Sequence, residues 1–443
     1  MGKKIYYGGS LIESTSVSRN TRIFTKLLRR NNISEKNLII CKAHTQLDVY
    51  LQWIACIENN LLPIFVFSEF SKDNIVNWSN TLGIKAIVEC KNGINEIYKL
   101  PSKINTSKFI SEIETGSVIH LTSATTGTPK LVIRTKKQLD AELLRYSKYL
   151  DINEKDTILP IVPINHSFGF ISGMLLSLKL NANLALPDVL LPRNVIQLSN
   201  NTKATMMLGV PYFYRKMLDV SNKYYLNNEL RYIIASGGPM EEGLQREFKK
   251  RFGRKLLQQY GSTETGSLAL GYSENDSKVV GTPIPGVKLK ILKDQYGRPR
   301  LFVDTKDTIG GYVTENGIEW LGSEYETGDL ADISSSDSIK LLGRYDDILI
   351  VDGKKVNKNY VISCIMKIEG ITQADVFLEQ NGTATELTCE YTGERKVSKI
   401  EFMEKCKNML ASFQIPKKFI YLKEMKPTMH ISDKRSPFPA SAV

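Results

Sequence analysis

The sequence predicts an α/β protein: a large N-terminal domain of α/β sheets with a small β subdomain, followed by a small C-terminal α+β domain. Three observations carry this. From Asn37 to about residue 260, short apolar runs alternate with amphipathic helical stretches. From Val279 to about Asp347 the texture changes to turn-punctuated strands without helical periodicity. After Asp347 a shorter segment has a strand and helix pattern of its own.

The rhythm opens with the strand Asn37-Leu-Ile-Ile-Cys-Lys, a helix bearing Leu47, Leu51 and Ile54 on one face, and the strand Leu62-Pro-Ile-Phe-Val-Phe. It continues through strands at Ala86-Ile-Val-Glu-Cys, Ser117-Val-Ile-His-Leu, Thr157-Ile-Leu-Pro-Ile-Val, Ala204-Thr-Met-Met-Leu, Arg231-Tyr-Ile-Ile-Ala and Lys255-Leu-Leu-Gln-Gln, with a helix over 136–150 among them. Strands such as Gly286-Val-Lys-Leu-Lys-Ile-Leu and Ile318-Glu-Trp-Leu form the β subdomain, and an amphipathic helix over 399–410 closes the C-terminal segment. A boundary at Asp346 divides the chain into residues 1–345 and 346–443.

Composition narrows the function classes. With 443 residues and 42% hydrophobic content, two domains with real cores are expected. No apolar run reaches the ~20 residues of a membrane span, and residues 1–16 lack the apolar centre of a secretory signal. A cytoplasmic protein is the expectation. The six cysteines are scattered singly, without zinc or disulfide spacing, and read as reduced core residues. The net charge of +12 is dispersed and not interleaved with aromatics, which argues against nucleic acid. A polyanionic substrate or an acidic carrier protein suits the same field.

Four segments carry candidate chemistry. Leu121-Thr-Ser-Ala-Thr-Thr-Gly-Thr-Pro-Lys130 follows an apolar strand and offers N–H, O–H and ammonium donors to phosphate oxygens. It is not a Walker loop, because Gly127 is followed by Thr-Pro and a strand-like run, and a Thr-rich exposed turn has the same composition. In Gln258-Gln-Tyr-Gly-Ser-Thr-Glu-Thr-Gly266 a polar loop follows a strand end, where ligands of open α/β sheets gather. Tyr260 can stack on a base, Thr263 meet a phosphate and Glu264 hold Mg²⁺; a plain strand-to-loop turn reads the same way. Asp329 in Tyr325-Glu-Thr-Gly-Asp-Leu330 can accept two ribose hydroxyls, with Arg344 of Gly343-Arg-Tyr-Asp-Asp347 donating nearby, or both can be hairpin residues. Lys434 in Ile431-Ser-Asp-Lys-Arg-Ser is either a charge-neutralising lysine or one more solvated one.

In order and spacing these segments resemble the acyl-adenylate-forming superfamily, which includes acyl-CoA synthetases, nonribosomal peptide synthetase adenylation domains and luciferases. The loop 123–130 resembles that family's Ser-Gly-Thr-Thr-Gly-x-Pro-Lys, and 260–264 its Tyr-Gly-x-Thr-Glu. Thr327-Gly-Asp329 and Gly343-Arg-x-Asp-Asp347 match as well. Ala235-Ser-Gly-Gly-Pro-Met240 resembles the adenine-side turn, and Pro163-Ile-Asn-His-Ser-Phe-Gly169 the segment whose His borders the acyl pocket. The pattern departs at Ala124, Leu131 and Asp433, where the family usually has Gly, and Pro427 lies one residue further from Lys434 than usual.

The resemblance implies that Ser123, Thr125, Thr126, Gly127 and Lys130 hold the ATP triphosphate. Gly238, Pro239, Tyr260 and Gly261 would lie on the adenine side. Thr263 would contact the α-phosphate, Glu264 the Mg²⁺, Asp329 the ribose, and Arg344 the ribose or phosphate. His166 would sit between acyl pocket and phosphate, and Lys434 would reach the carboxylate and α-phosphate. It also implies that the C-terminal domain is mobile, rotating about Asp346 so that the loop at Gly353 comes to the thiol's tunnel. The expected cofactors are ATP, Mg²⁺ and coenzyme A or the phosphopantetheine of a carrier protein; the expected substrate is a small carboxylic acid.

The activity implied is ATP-dependent acid activation through an acyl-adenylate, then transfer to the thiol of coenzyme A. The alternative acceptor is a carrier protein loaded with a fatty, aryl or amino acid. A third reading is a non-catalytic nucleotide-binding protein that has lost its active site at Asp433. An acyl pocket bordered by His166, Phe168, Phe170, Gly209, Tyr212 and Ala235, without paired Asp residues, favours a fatty or aromatic acid.

Overall fold

The computed structural model describes residues 3–67, 82–100, 113–122, 130–294, 297–305, 307–314, 316–334, 337–351, 354–381 and 384–424. Two large mixed sheets organise everything before residue 345. One contains six mutually parallel strands in the order Leu257–Ser262, Tyr232–Ala235, Met206–Gly209, Thr157–Pro160, Asn183–Leu186 and Ile5–Tyr7. The other is built on parallel strands Val118–Thr122, Leu62–Phe67, Leu38–Ala43 and Ala86–Lys91. Fully parallel strands read as continuous apolar runs because both faces are covered, and Leu38-Ile-Ile-Cys41 and Met206-Met-Leu208 follow that rule.

Side-chain alternation sorts these runs into three layers. Ile39, Cys41, Phe65 and Val118 from one sheet meet Ile158, Leu184, Met206 and Ile234 from the other in a central core, together with Phe24, Trp53, Leu143 and Met174 from intervening helices. The opposite faces carry Leu159, Met207 and Ile233 under the helices Pro192–Asn201, Pro211–Leu218 and Leu244–Phe252, and Ile40, Ile64 and Ile119 on the far side of the second sheet. Phe170 marks the centre of the sandwich. Its ring lies 4.9 Å from Trp53, 5.3 Å from Phe65 and 5.0 Å from His120.

The stretch after Val279 is all-β as expected, and its strands extend both sheets. Val279–Pro283, Ile339–Arg344, Tyr325–Ile333, Pro299–Val303 and Leu289–Lys293 continue the first sheet beyond Gly266–Gly271, while Gly311–Thr314 and Gly317–Trp320 pair onto Lys130–Arg134 of the second. Pairing in this way satisfies edges that would otherwise carry open N–H and C=O groups. Beyond a 3₁₀ turn at Tyr345–Asp347, residues from Val351 to Ile415 form a core of their own around Val361, Val376, Tyr391 and Phe402. Among the described residues no helix is long and apolar enough to cross a membrane.

Candidate active site

Because Thr157–Pro160, Met206–Gly209, Tyr232–Ala235 and Leu257–Ser262 run parallel side by side, the segments that follow them emerge at one edge of the sheet. Three of them are residues 161–169, 236–239 and 263–266, the last joined by the strand's own end at 260–262. A register shift between Tyr260 and Gly261 turns the chain outward there. Gly261 is required by close approach, since a Cβ on it would lie 2.1 Å from the Gly266 carbonyl oxygen. Gly266 has φ +70°, which a residue without Cβ adopts freely.

Tyr260 is 9% exposed and its hydroxyl donates to Asp329 Oδ2 at 2.6 Å. The other carboxylate oxygen, Oδ1, accepts from Arg344 Nη1 at 3.2 Å, and Asp329 and Arg344 are cross-strand partners. Arg344 Nη1 also donates to the Thr327 carbonyl at 3.1 Å. Burial holds the Asp329 carboxyl above the ordinary aspartate range, against the opposing pull of Arg344 and the Tyr260 hydrogen bond. The Tyr260 phenol is pushed up by burial and by the Asp329 charge, so it remains a proton donor.

Glu264, half-buried, accepts from the Tyr312 hydroxyl at 3.2 Å, and the Tyr312 and Tyr325 hydroxyls are 3.4 Å apart. Lys130 Nζ sits 4.7 Å above the Tyr312 ring, within cation–π range. Burial raises both phenols, so an ammonium, a carboxylate and two neutral hydroxyl donors converge here. Thr263 Oγ1 is 3.1 Å from Ser167 Oγ. Ser167 precedes a π-helical turn, Gly169–Leu175, whose Phe170 N–H donates to the His166 carbonyl at 2.8 Å. His166 is exposed, and desolvation by the protein atoms near it lowers its pKa from the ordinary histidine value, which favours the neutral imidazole.

Of the residues singled out by sequence, Lys130, His166, Tyr260, Gly261, Thr263, Glu264, Asp329 and Arg344 take their places in this assembly. Gly238 and Pro239 lie exposed in the turn next to Tyr260's strand, with nothing within 4 Å of where a Gly238 Cβ would stand. Ser123, Thr125, Thr126, Gly127, Gly353 and Lys434 lie outside the described residues, although Thr122 and Lys130, which flank the Thr-rich loop, are register partners. Three expected acyl-pocket residues are placed differently: Phe170, Gly209 and Ala235 are buried in the core. Sequence reasoning gave no role to Ser167, Tyr312 and Tyr325; Ser167 stands inside the His166 motif and Tyr325 inside the Asp329 motif, while Tyr312 gave no local signal.

A profile of the AMP-binding enzyme family matches residues 16–303. The chain belongs to this family. Among its relatives, the 3,4-dihydroxybenzoate–[aryl-carrier protein] ligase of Bacillus anthracis is 24% identical over 304 residues, 68% of each chain. The medium-chain fatty-acid–CoA ligase of Escherichia coli is 25% identical over 331 residues, 68% of this chain and 57% of that enzyme's length. The o-succinylbenzoate coenzyme A synthetase of Bacillus subtilis, solved in complex with AMP, superposes with a TM-score of 0.76 at 19% identity, covering 95% of this chain and 92% of the other. At that identity the superposition establishes the fold. It spans Asp329 and Arg344, which lie beyond the profile match.

Proposed function

We propose that this protein is an AMP-forming acid–thiol ligase: it activates a carboxylic acid with ATP, releases pyrophosphate, and transfers the acyl group from the adenylate to the thiol of coenzyme A. The observation that carries this reading is the convergence of Thr263, Glu264, Asp329 and Arg344, drawn from distant stretches of sequence, on one edge of the sheet.

In this reading Asp329 accepts the ribose hydroxyls and Arg344 donates to ribose or phosphate. Tyr260, Gly238 and Pro239 lie against adenine, and Thr263 donates to the α-phosphate. Lys130 and the loop bearing Ser123, Thr125, Thr126 and Gly127 face the triphosphate. The hard carboxylate of Glu264 fits Mg²⁺, which when bound neutralises phosphate charge. Neutral His166 stands between acid and phosphate, and Lys434 reaches the carboxylate. A carboxylate oxygen attacks the α-phosphorus as the bond to pyrophosphate breaks; a thiolate then attacks the acyl carbonyl and AMP leaves. Positioning and charge neutralisation suffice for such chemistry. The separate core within 351–415 supports a division into an ATP and acid domain, 1–345, and a smaller lid domain, 346–443.

A second acceptor, the phosphopantetheine thiol of a carrier protein, is favoured by the Bacillus anthracis relative, an aryl-carrier ligase. Pyrophosphate release is to be measured with Mg·ATP across fatty, aryl, hydroxy and amino acids, with and without coenzyme A. Lys434→Ala and Glu264→Ala serve as inactive controls. Acid-dependent release that coenzyme A turns from a single burst into sustained turnover supports the CoA ligase. A burst relieved only by a phosphopantetheinylated carrier supports the second acceptor, and silence with every acid overturns the activity.

A further inference from the structure

Beneath the site lies a fully buried ion pair. Arg134 ends the strand that Lys130 begins, and Glu142 sits on the helix Lys136–Tyr149 that follows it. Arg134 Nη2 donates to Glu142 Oε2 at 2.9 Å, with side-chain exposures of 0% and 5%. Desolvating two charges offsets most of their attraction, and apolar replacements of similar volume are often as stable. Stability alone therefore gives little reason for this pair, and Arg134 Nε has no hydrogen-bond partner among the described residues, which adds a further cost.

The remaining hydrogen bonds of the pair all go to one loop. Arg134 Nη1 reaches the Thr263 carbonyl at 3.5 Å, and Glu142 Oε1 accepts the Ser267 N–H at 2.8 Å. The two members thus hold opposite ends of the segment that carries Thr263 and Glu264. A Cβ on Gly266 would lie 2.1 Å from Glu142 Oε2, and one on Gly310 would meet the Ile133 carbonyl oxygen at 2.4 Å and Arg134 Cδ at 2.9 Å, so both glycines let the backbone approach the pair closely. Gly310 in turn donates its N–H to the Glu264 carbonyl at 2.8 Å.

We propose that Arg134 and Glu142 are positioning residues: a buried brace that sets Thr263 and Glu264 relative to Lys130, so that phosphate and metal contacts are presented from one rigid frame. The inference rests on the activity proposed above. Misplacing catalytic groups by an ångström costs on the order of a hundredfold in rate, and among the described residues the other side chains that bond to this segment from outside include Ser167 at Thr263, Tyr312 at Glu264, and Gln259 and Ser172 at Ser267.

The test is the double variant Arg134→Met/Glu142→Met, with Glu142→Gln as a second variant that keeps the side chain's shape. The expected result is a folded protein with a melting temperature close to the parent's. Its kcat for acid-dependent pyrophosphate release falls about a hundredfold, its KM for the acid is unchanged, and more Mg²⁺ is needed for half-maximal activity. Parental kcat and Mg²⁺ response in a folded double variant overturns the brace, as does the same result in Glu142→Gln if the double variant does not fold. Should the parent release no pyrophosphate with any acid, the activity has failed separately. Amide exchange then decides: faster exchange at Thr265 and Gly310, neither of which bonds to the pair, upholds the brace, and unchanged exchange overturns it.

Discussion

The Tyr260 hydroxyl donates to Asp329 Oδ2 at 2.6 Å, joining a strand of the parallel sheet to a carboxylate 69 residues further along the chain. Among the described residues, donors from Tyr260 and Arg344 oppose the burial of that charge. Tyr260→Phe keeps the ring and removes the donor. Hydrogen bonds to charged groups contribute about 1.5–3 kcal/mol, so the KM for ATP is expected to rise at least about tenfold, with the KM for the acid unchanged. Steady-state kinetics with each substrate varied in turn checks this.

The same carboxyl gives a pH dependence. Burial raises its folded pKa above the unfolded aspartate value, so between those two values the folded state holds the extra proton. Its contribution to stability therefore declines as pH rises through that window and is constant above it. For binding, the ionised form is the better acceptor for ribose hydroxyls, so the KM for ATP should climb as pH falls through the raised pKa. Tyr260→Phe should move that limb to higher pH, and Asp329→Asn should remove it. Nucleotide titrations from pH 4 to 8 measure both.

Tyr312 bears on the metal through Glu264. Its hydroxyl orients the carboxylate while its ring lies under the Lys130 ammonium. Partners that orient a metal ligand typically change affinity by about 10–100-fold when removed. Tyr312→Phe leaves the cation–π contact and should raise the Mg²⁺ needed for half-maximal activity into that range. Tyr312→Leu, which loses both contacts, should also raise the KM for ATP.

What was legible in the sequence follows from the length scale of each signal. The βαβ rhythm is local, so strands such as Leu38–Ala43 and Met206–Gly209 and the helix Lys136–Tyr149 stand where periodicity places them. The motif around Tyr260 was legible because a turn this tight needs Gly261 and Gly266. The Arg134–Glu142 pair was not, since it forms only when a strand and the helix after it pack, nor was the Tyr312–Glu264 bond, whose partners lie 48 residues apart. The helix Ser14–Arg30 was missed because it buries a narrow stripe, Phe24 and Leu28, in a polar stretch. His44 stands just past its strand, partly exposed, with Nε2 2.8 Å from Glu89 Oε1.

Phe170 separates the sequence reading from the structure most sharply. As an acyl-pocket residue, its replacement by alanine would enlarge the range of acids accepted and leave stability alone. The structure instead buries the ring completely between Trp53, Phe65 and His120, edge-on to two of them. Truncating a buried phenylalanine typically costs 3–5 kcal/mol, roughly the lost transfer energy plus that of the cavity. In a domain of this size, with about 2.1 cal/mol/K of unfolding entropy per residue, each kcal/mol is worth about 1.4 °C, so Phe170→Ala should lower the melting temperature by roughly 4–7 °C. The same residue lies in the π-helical turn that follows Ser167, so kcat should fall with Thr263's support while acid preference stays as it is. Calorimetry together with the acid panel checks both halves, and a broadened acid range at an unchanged melting temperature would return Phe170 to the pocket.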